Sequence, residues 1–178
     1  KDHPEGSTAY YTQQICASLS QLSSHLDWKV IDQVIQLIHD SDNVAFFGTQ
    51  FSHSVALHFQ TDLLMLEKFT MAYMEQTNQL QCAKELDENS VAIILTVSGH
   101  IFNGNQKMIS YIKKSNAKVV IITNDQDFDF GFEPDYVIGI GDPKYKRTGK
   151  HNLLTTMELM ALRYYSIYYP DVKDNIIE

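Results

Sequence analysis

Basic residues are scarce in this 178-residue chain: 14 Lys and Arg stand against 22 Asp and Glu, for a net charge of −8. A surface of that sign repels polyanions and leaves no basic stripe, which argues against direct nucleic-acid binding by this segment. Cysteine is nearly absent too. Cys16 and Cys82 lie far apart within helical patterns, with no companion Cys or His at ligand spacing. Buried free thiols are the expectation, which suits a reducing, cytoplasmic location. Long hydrophobic runs are missing: Val91 to Leu95 is among the longest, far below membrane-spanning length, so no membrane partner is expected. The first residues, Lys1 to Thr8, have no charged stretch leading into an apolar one, so no signal peptide is expected there. The abrupt start, Lys1-Asp2-His3-Pro4 without an initiator Met, points to a fragment or a processed chain.

Several chemistries lack their signatures. There is no Gly-x-Ser-x-Gly elbow for a serine nucleophile. The 7 histidines include no His-x-x-x-His pair backed by a carboxylate, and His53 and His58, five apart, fall on different helical faces. Asp125, Asp127 and Asp129 alternate as in a calcium loop, without the Gly and the Glu that such a loop requires at its sixth and twelfth positions. No metal and no cofactor are expected.

What is present is a pattern for one domain, with 44% hydrophobic residues. Tyr11, Ile15, Leu19, Leu22 and Leu26 recur at helical spacing, and after Asp27, a capping residue, Val30, Val34, Ile35 and Ile38 form a second apolar stripe. Residues 1–42 therefore read as a helical hairpin that packs either on the main body or on a partner subunit. Beyond Asn43 the period changes. Short apolar runs at Val44 to Phe47, Phe69 to Met74, Val91 to Leu95, Lys118 to Ile122 and Tyr136 to Ile140 alternate with helical patterns at Ser52 to Leu66, Asn78 to Glu85, Asn103 to Ser115 and Asn152 to Tyr168. Strands buried on both faces and joined by helices imply an α/β fold, a three-layer α/β/α domain with a five-stranded parallel doubly wound sheet spanning residues 43–178. The segment from Asn124 to Pro134 reads as a loop, either solvent-facing or a lid.

Ligands of such sheets bind beyond the carboxyl ends of the strands, where strand order reverses. Two loops carry suitable groups. After the first strand, Gly48 makes a turn, with Gln50, Ser52 and Ser54 at the start of the following helix. After the third, Thr96-Val97-Ser98-Gly99-His100 opens another helix. Backbone N–H groups at a helix start are unpaired and partly positive, so Thr96, Ser98 and Gly99 form an anion hole that needs no Lys or Arg. The alternative is that Ser98 merely caps the helix. If the two strands are neighbours, hydroxyls from both loops grip one polar ligand.

The combination Gly48-x-x-x-Ser52-x-x-x-Ala56, Thr96-x-Ser98-Gly99, the run Ala117 to Asn124 and the later Pro134-Asp-Tyr-Val resembles the SIS (sugar isomerase) domain family in order and spacing. The helical leader and the Lys146-Arg-Thr148 segment are most similar to the effector domain of RpiR-family transcription regulators. The resemblance implies a sugar-phosphate binder, with Ser52 on the sugar side and Thr96, Ser98 and the Gly99 backbone around the phosphate. It further implies a homodimer or higher homo-oligomer, with DNA contacted only through an N-terminal helix-turn-helix part absent from this chain. Two positions depart from the family pattern: Gln50 stands where a second glycine is usual, and Ile101 where Thr or Ser is usual. Ile101 cannot donate to a phosphate, a loss of about 1.5–3 kcal/mol of affinity.

Three functions compete on these grounds. The first is a phosphosugar-binding sensor domain of a carbohydrate-responsive regulator, which is not an enzyme. The second is a phosphosugar isomerase or lyase, which needs a proton-transferring group in the pocket; His53, His100 and Glu158 are the candidates, none of them assigned as catalytic. The third is a dimerisation module with a degenerate pocket. Tyr164, Tyr165, Tyr168 and Tyr169 on the closing helix read as core or interface.

Overall fold

A computed structural model describes residues 7–142 and 147–170. Lys146 of the Lys146-Arg-Thr148 segment lies outside the described residues. The chain runs α1 (Thr8–His25), α2 (Trp28–Asp40), β1 (Asn43–Phe47), α3 (Phe51–Met65), β2 (Met71–Ala72), α4 (Gln76–Glu85), β3 (Ser90–Thr96), α5 (His100–Gly104), α6 (Gln106–Lys114), β4 (Lys118–Thr123), β5 (Tyr136–Gly139) and α7 (Gly149–Tyr168). All strand pairs are parallel, in the order β2-β1-β3-β4-β5.

The period-two geometry of the strands sorts their side chains into two cores. Val91, Ile93 and Leu95 of β3 join Phe46, Val120, Ile122 and Ile138 on one face, beneath α1, α2, α3 and α7. Ala92 and Ile94 join Phe47, Val119 and Ile121 on the other, beneath α4, α5 and α6. The result is the three-layer arrangement that the apolar runs imply.

The leader helices pack on the body. Ile31, Val34, Ile35 and Ile38 of α2 are fully buried in the first core. Asp27 caps α2 by accepting from the backbone of Lys29 and Val30. Arg163 of α7 donates to both carboxylate oxygens of Asp32, each at 2.8 Å, an exposed bidentate pair that fixes the angle between the helices. α1 is held differently: Thr148 Oγ1 donates to Ser18 Oγ, and Ser18 Oγ to Asn152 Oδ1, a buried polar chain between α1 and the start of α7.

Three details depart from the sequence expectations, and a fourth refines them. β2 shrinks to Met71–Ala72, because it is an edge strand and Phe69 is left 75% exposed. The helix expected from Asn103 to Ser115 is broken at Asn105, whose φ of −131° is not helical, so α5 is a single short turn. The Asn124 to Pro134 loop faces solvent with Asp125, Asp127, Asp129 and Glu133 but anchors its aromatic side chains: Phe128 and Phe130 pack on Phe102 at ring separations of 5.7 and 5.1 Å. Cys16 is exposed, whereas Cys82 is buried, with its thiol pushed up to about 11 by desolvation and the nearby Glu85.

The tyrosine cluster is largely internal. Tyr164 is buried and bonds His39 Nδ1 at 2.9 Å, burial being the main cause of its pKa of about 12, and Tyr168 stacks on the same imidazole at 3.6 Å. Because α2 belongs to the main core, Ile35→Ala should lower unfolding free energy by about 2–5 kcal/mol. Chemical denaturation should show this as one shifted transition. A separate early transition of the leader would contradict the shared core.

Candidate functional site

β1 and β3 are adjacent, with Phe47 in register with Ile94, so the loops that follow them meet above the sheet. The chain leaves β1 toward β2 on one side and resumes at β3 on the other, which makes this the switch point of the sheet. A cavity of about 640 Å³ opens there. Its walls include Thr49, Gln50, Phe51 and Ser52 from the first loop and Thr96, Val97, Ser98 and His100 from the second. Two further walls were not foreseen from sequence: Ser7, Thr8 and Tyr11 of α1, and Arg147, Gly149 and Lys150 at the start of α7.

Three helices therefore begin at one cavity. Among the described residues no side chain caps α3, α5 or α7, and none of the three carries an acidic residue in its first turn. At α3 the Ser52, His53 and Ser54 amides already donate to Thr49 O and Gln50 O, and at α5 the Phe102 amide donates to Gly99 O, so the helix starts bring to the cavity chiefly the positive ends of their dipoles, of which α3 and α7 are long enough to count. Lys150 stands in the first turn of α7, where a cation opposes the dipole; an anion in the cavity offsets that cost. The site thus has the basic groups that the sequence reading did without. The later expected start of α7, at Asn152, is what hid Gly149 and Lys150.

The second loop is tight for identifiable reasons. Gly99 has φ +75°, and an added Cβ would lie 2.5 Å from the Phe128 ring. Its N–H donates to Thr96 Oγ1 at 3.0 Å, so that amide is already committed inside the turn. Gly99 is accordingly a shaping residue that does not line the cavity. Ser98 makes no capping bond, and its side chain is exposed at the cavity wall, as is His100. Ile101 is buried in the second core and faces away, so its missing hydroxyl is a matter of packing. Gly149 lies flush against this loop: a Cβ there would meet Val97 Cγ1 at 2.5 Å.

The first loop is held from below. Gly48 N–H donates to Gln79 Oε1 at 3.2 Å, and Gln79 Nε2 donates back to Gly48 O at 3.0 Å. Gln79, buried on α4, clamps both backbone groups of the turn, a role without a sequence signal because α4 is distant in the chain. Gln50 follows with φ 51° and ψ −122°, outside the regions open to ordinary residues. The glycine usual at this position in the resembled family would adopt it freely.

The remaining candidates lie elsewhere. Gly48 and Ser54 line a second cavity with His53, which is 4% exposed and whose ring burial holds below its usual pKa. Glu158 sits with His58 and Asp62, 3.7 Å from His58 Nε2, and lines neither cavity. It lies nine residues along α7 from Gly149, about 13 Å by helical rise. Among the described residues no carboxylate lines the first cavity, and no group of His, Cys, Asp and Glu could hold a metal ion.

Two substitutions test this geometry. Gln79→Leu leaves both Gly48 groups unpaired and should cost about 2 kcal/mol or more in chemical denaturation; an unchanged midpoint would show that the clamp is dispensable. Gln50→Gly should raise stability by about 1 kcal/mol by relieving the backbone, and a loss would show that the Gln50 side chain is itself needed for stability.

No family model matches the sequence, and no curated protein does. Solved structures are similar in fold. NanR of Vibrio vulnificus, in complex with ManNAc-6P, superposes with a TM-score of 0.75 at 14% identity over 92% of this chain and 64% of that one. The sugar isomerase domain of an RpiR transcription factor from Sphaerobacter thermophilus gives 0.71 at 15% identity, over 92% and 91% of the two chains. A phosphoheptose isomerase from Francisella tularensis gives 0.68 at 15% identity, over 88% and 94%. The fold is the one these structures share, and they include the sugar isomerase domain of a transcription factor and an isomerase.

Proposed function

Starting from the SIS-domain fold of this chain, we propose that it is the phosphosugar-binding effector domain of a carbohydrate-responsive regulator of the RpiR type, cytoplasmic and homodimeric, reaching DNA through a helix-turn-helix part outside this sequence. The observation that carries the reading is the meeting of the α3 and α7 starts over one cavity lined with hydroxyls, Arg147 and Lys150 and, among the described residues, with no carboxylate. Such a cavity favours a dianionic phosphate, with Thr49, Ser52, Thr96 and Ser98 offering hydroxyls to the phosphate and the sugar. The ManNAc-6P complex of NanR, of this fold, supports that ligand class, and the RpiR domain of the same fold supports the regulator reading.

Signalling in this reading runs through α1. Ser7, Thr8 and Tyr11 wall the cavity, and the Thr148–Ser18–Asn152 chain ties the same helix to the start of α7. A ligand that draws the two helix ends together changes the orientation of whatever precedes α1. The effect is limited by the ligand's differential affinity for the two arrangements. Isomerisation is the competing reading, supported by the His100 imidazole at the cavity wall and by the phosphoheptose isomerase of the same fold. The absence of a lining carboxylate among the described residues supports sensing over proton transfer.

A panel of hexose, pentose and amino-sugar phosphates should include one that raises the melting temperature, adding about 2.7 kcal/mol at a hundred times its dissociation constant. Ser98→Leu should abolish the shift and Lys150→Ala should weaken it. Equal shifts in parent and both variants would remove this cavity as the site, and turnover of a ketose phosphate by the chain would replace sensing with isomerisation.

A further inference from the structure

Several cations of this chain have acceptors of their own. Arg163 pairs with Asp32 and Lys118 with Asp135, while Lys68 donates to the His39 and Ser41 carbonyls and Lys113 to that of Gly131. Arg147 and Lys150 differ. Among the described residues no carboxylate pairs with either, and both line the first cavity, where no carboxylate joins the described lining.

Their placement is fixed from two sides. The Lys150 Nζ lies over the Phe51 ring, 5.4 Å from its centroid, which holds the ammonium against the α3 wall. The Tyr11 hydroxyl donates to the Arg147 carbonyl at 3.3 Å, which brings Arg147 to the α1 wall. A charge count then sets what the cavity favours. At neutral pH a phosphate monoester carries nearly two negative charges, which Arg147 and Lys150 together balance. The positive ends of α3 and α7, each equivalent to roughly half a charge, are left over. A second anionic group on the ligand therefore meets attraction. A cationic group meets none, because an ammonium anywhere in the cavity finds no carboxylate among the described lining residues.

Building on the phosphosugar site proposed above, we propose that this cavity selects its ligand by total charge. It prefers a phosphosugar acid, which carries a carboxylate besides the phosphate, over a sugar phosphate with no other charge, and it disfavours a sugar phosphate with a free amine. Arg147 and Lys150 are the specificity-determining residues. The cavity, at about 640 Å³, is of small-molecule size, and its two cations stand by different walls, as a ligand with two anionic ends requires.

Calorimetric titration of the chain at neutral pH and low salt tests this with two matched pairs of probes. 6-Phospho-D-gluconate differs from D-sorbitol 6-phosphate by a carboxylate at the end of an open chain of the same length. D-Glucosamine 6-phosphate differs from D-glucose 6-phosphate by an ammonium in place of a hydroxyl, and N-acetyl-D-glucosamine 6-phosphate controls for the size of that substituent. The acid should bind about threefold or more tighter than its partner, and the amine about threefold or more weaker than both of its own. In Lys150→Met and Arg147→Met, both at exposed positions, each preference should fall by about half or more, and added salt should reduce both. Equal affinities within each pair, or preferences unchanged in both variants, would overturn charge selection. Sugar phosphates that bind without this order would refute the selection and leave the phosphosugar reading standing, whereas a chain that binds none of the probes would lose both.

Discussion

Parallel pairing of β1 with β3 is the constraint on which the rest of the molecule depends. It places two strands that are not consecutive in the chain side by side, so the turns after them, Gly48–Ser52 and Thr96–His100, rise next to one another. Every later feature of the site follows from that neighbourhood. α3 starts from one turn and α5 from the other, and the start of α7 reaches across to lie against Val97. A cavity at the starts of α3 and α7, with Arg147 and Lys150 on its wall and no carboxylate among its described lining residues, favours negative charge even in a chain of net charge −8. Local dipoles and two basic side chains decide the sign of the site, whereas the global balance decides only which polyelectrolytes the rest of the surface repels.

Rigidity at the turns comes from a small number of specific contacts. Gln79 pins Gly48 through two hydrogen bonds, Thr96 takes the Gly99 amide, and Phe128 closes over Gly99 from the loop after β4. The aromatic loop between Asn124 and Pro134 therefore acts as backing for the Thr96–His100 turn, with Phe102 of α5 as its anchor. Beside these contacts stand exceptions: Gln50, Glu67 and Asn116 have positive φ, and buried polar atoms of His53, Thr70, Asn124, Asn152 and Thr156 have no partner among the described residues, with Gln50 and His53 the ones beside the cavities. Strain and unpaired polarity persist in folded proteins where the surrounding structure over-determines them, and such places concentrate at binding sites.

The alternation of apolar runs with helical stripes carried the architecture, because strands buried on both faces have no other economical packing than between helices. Asp27 as a cap and the stripe from Ile31 to Ile38 were legible for the same local reason. The site was legible only in part. Ser52, Thr96, Ser98 and His100 come together as their loops suggested, but Ser54 and Gly48 turn to the second cavity and Gly99 gives its amide to Thr96. β2 and the broken helix at Asn105 were misjudged, since edge position and a local non-helical φ leave little trace in periodicity.

Hydrophobic period, turn residues and caps act over a few residues, so by itself the amino-acid order determined the element types, the parallel layered fold and the two hydroxylated turns. Tertiary structure alone decided that Arg147, Lys150 and Tyr11 join those turns, that Gln79 clamps one of them, and that His53 is buried without a partner. Each of those facts depends on segments separated by tens of residues meeting in space. Such meetings are set by the packing of whole helices against the sheet, which no local pattern encodes.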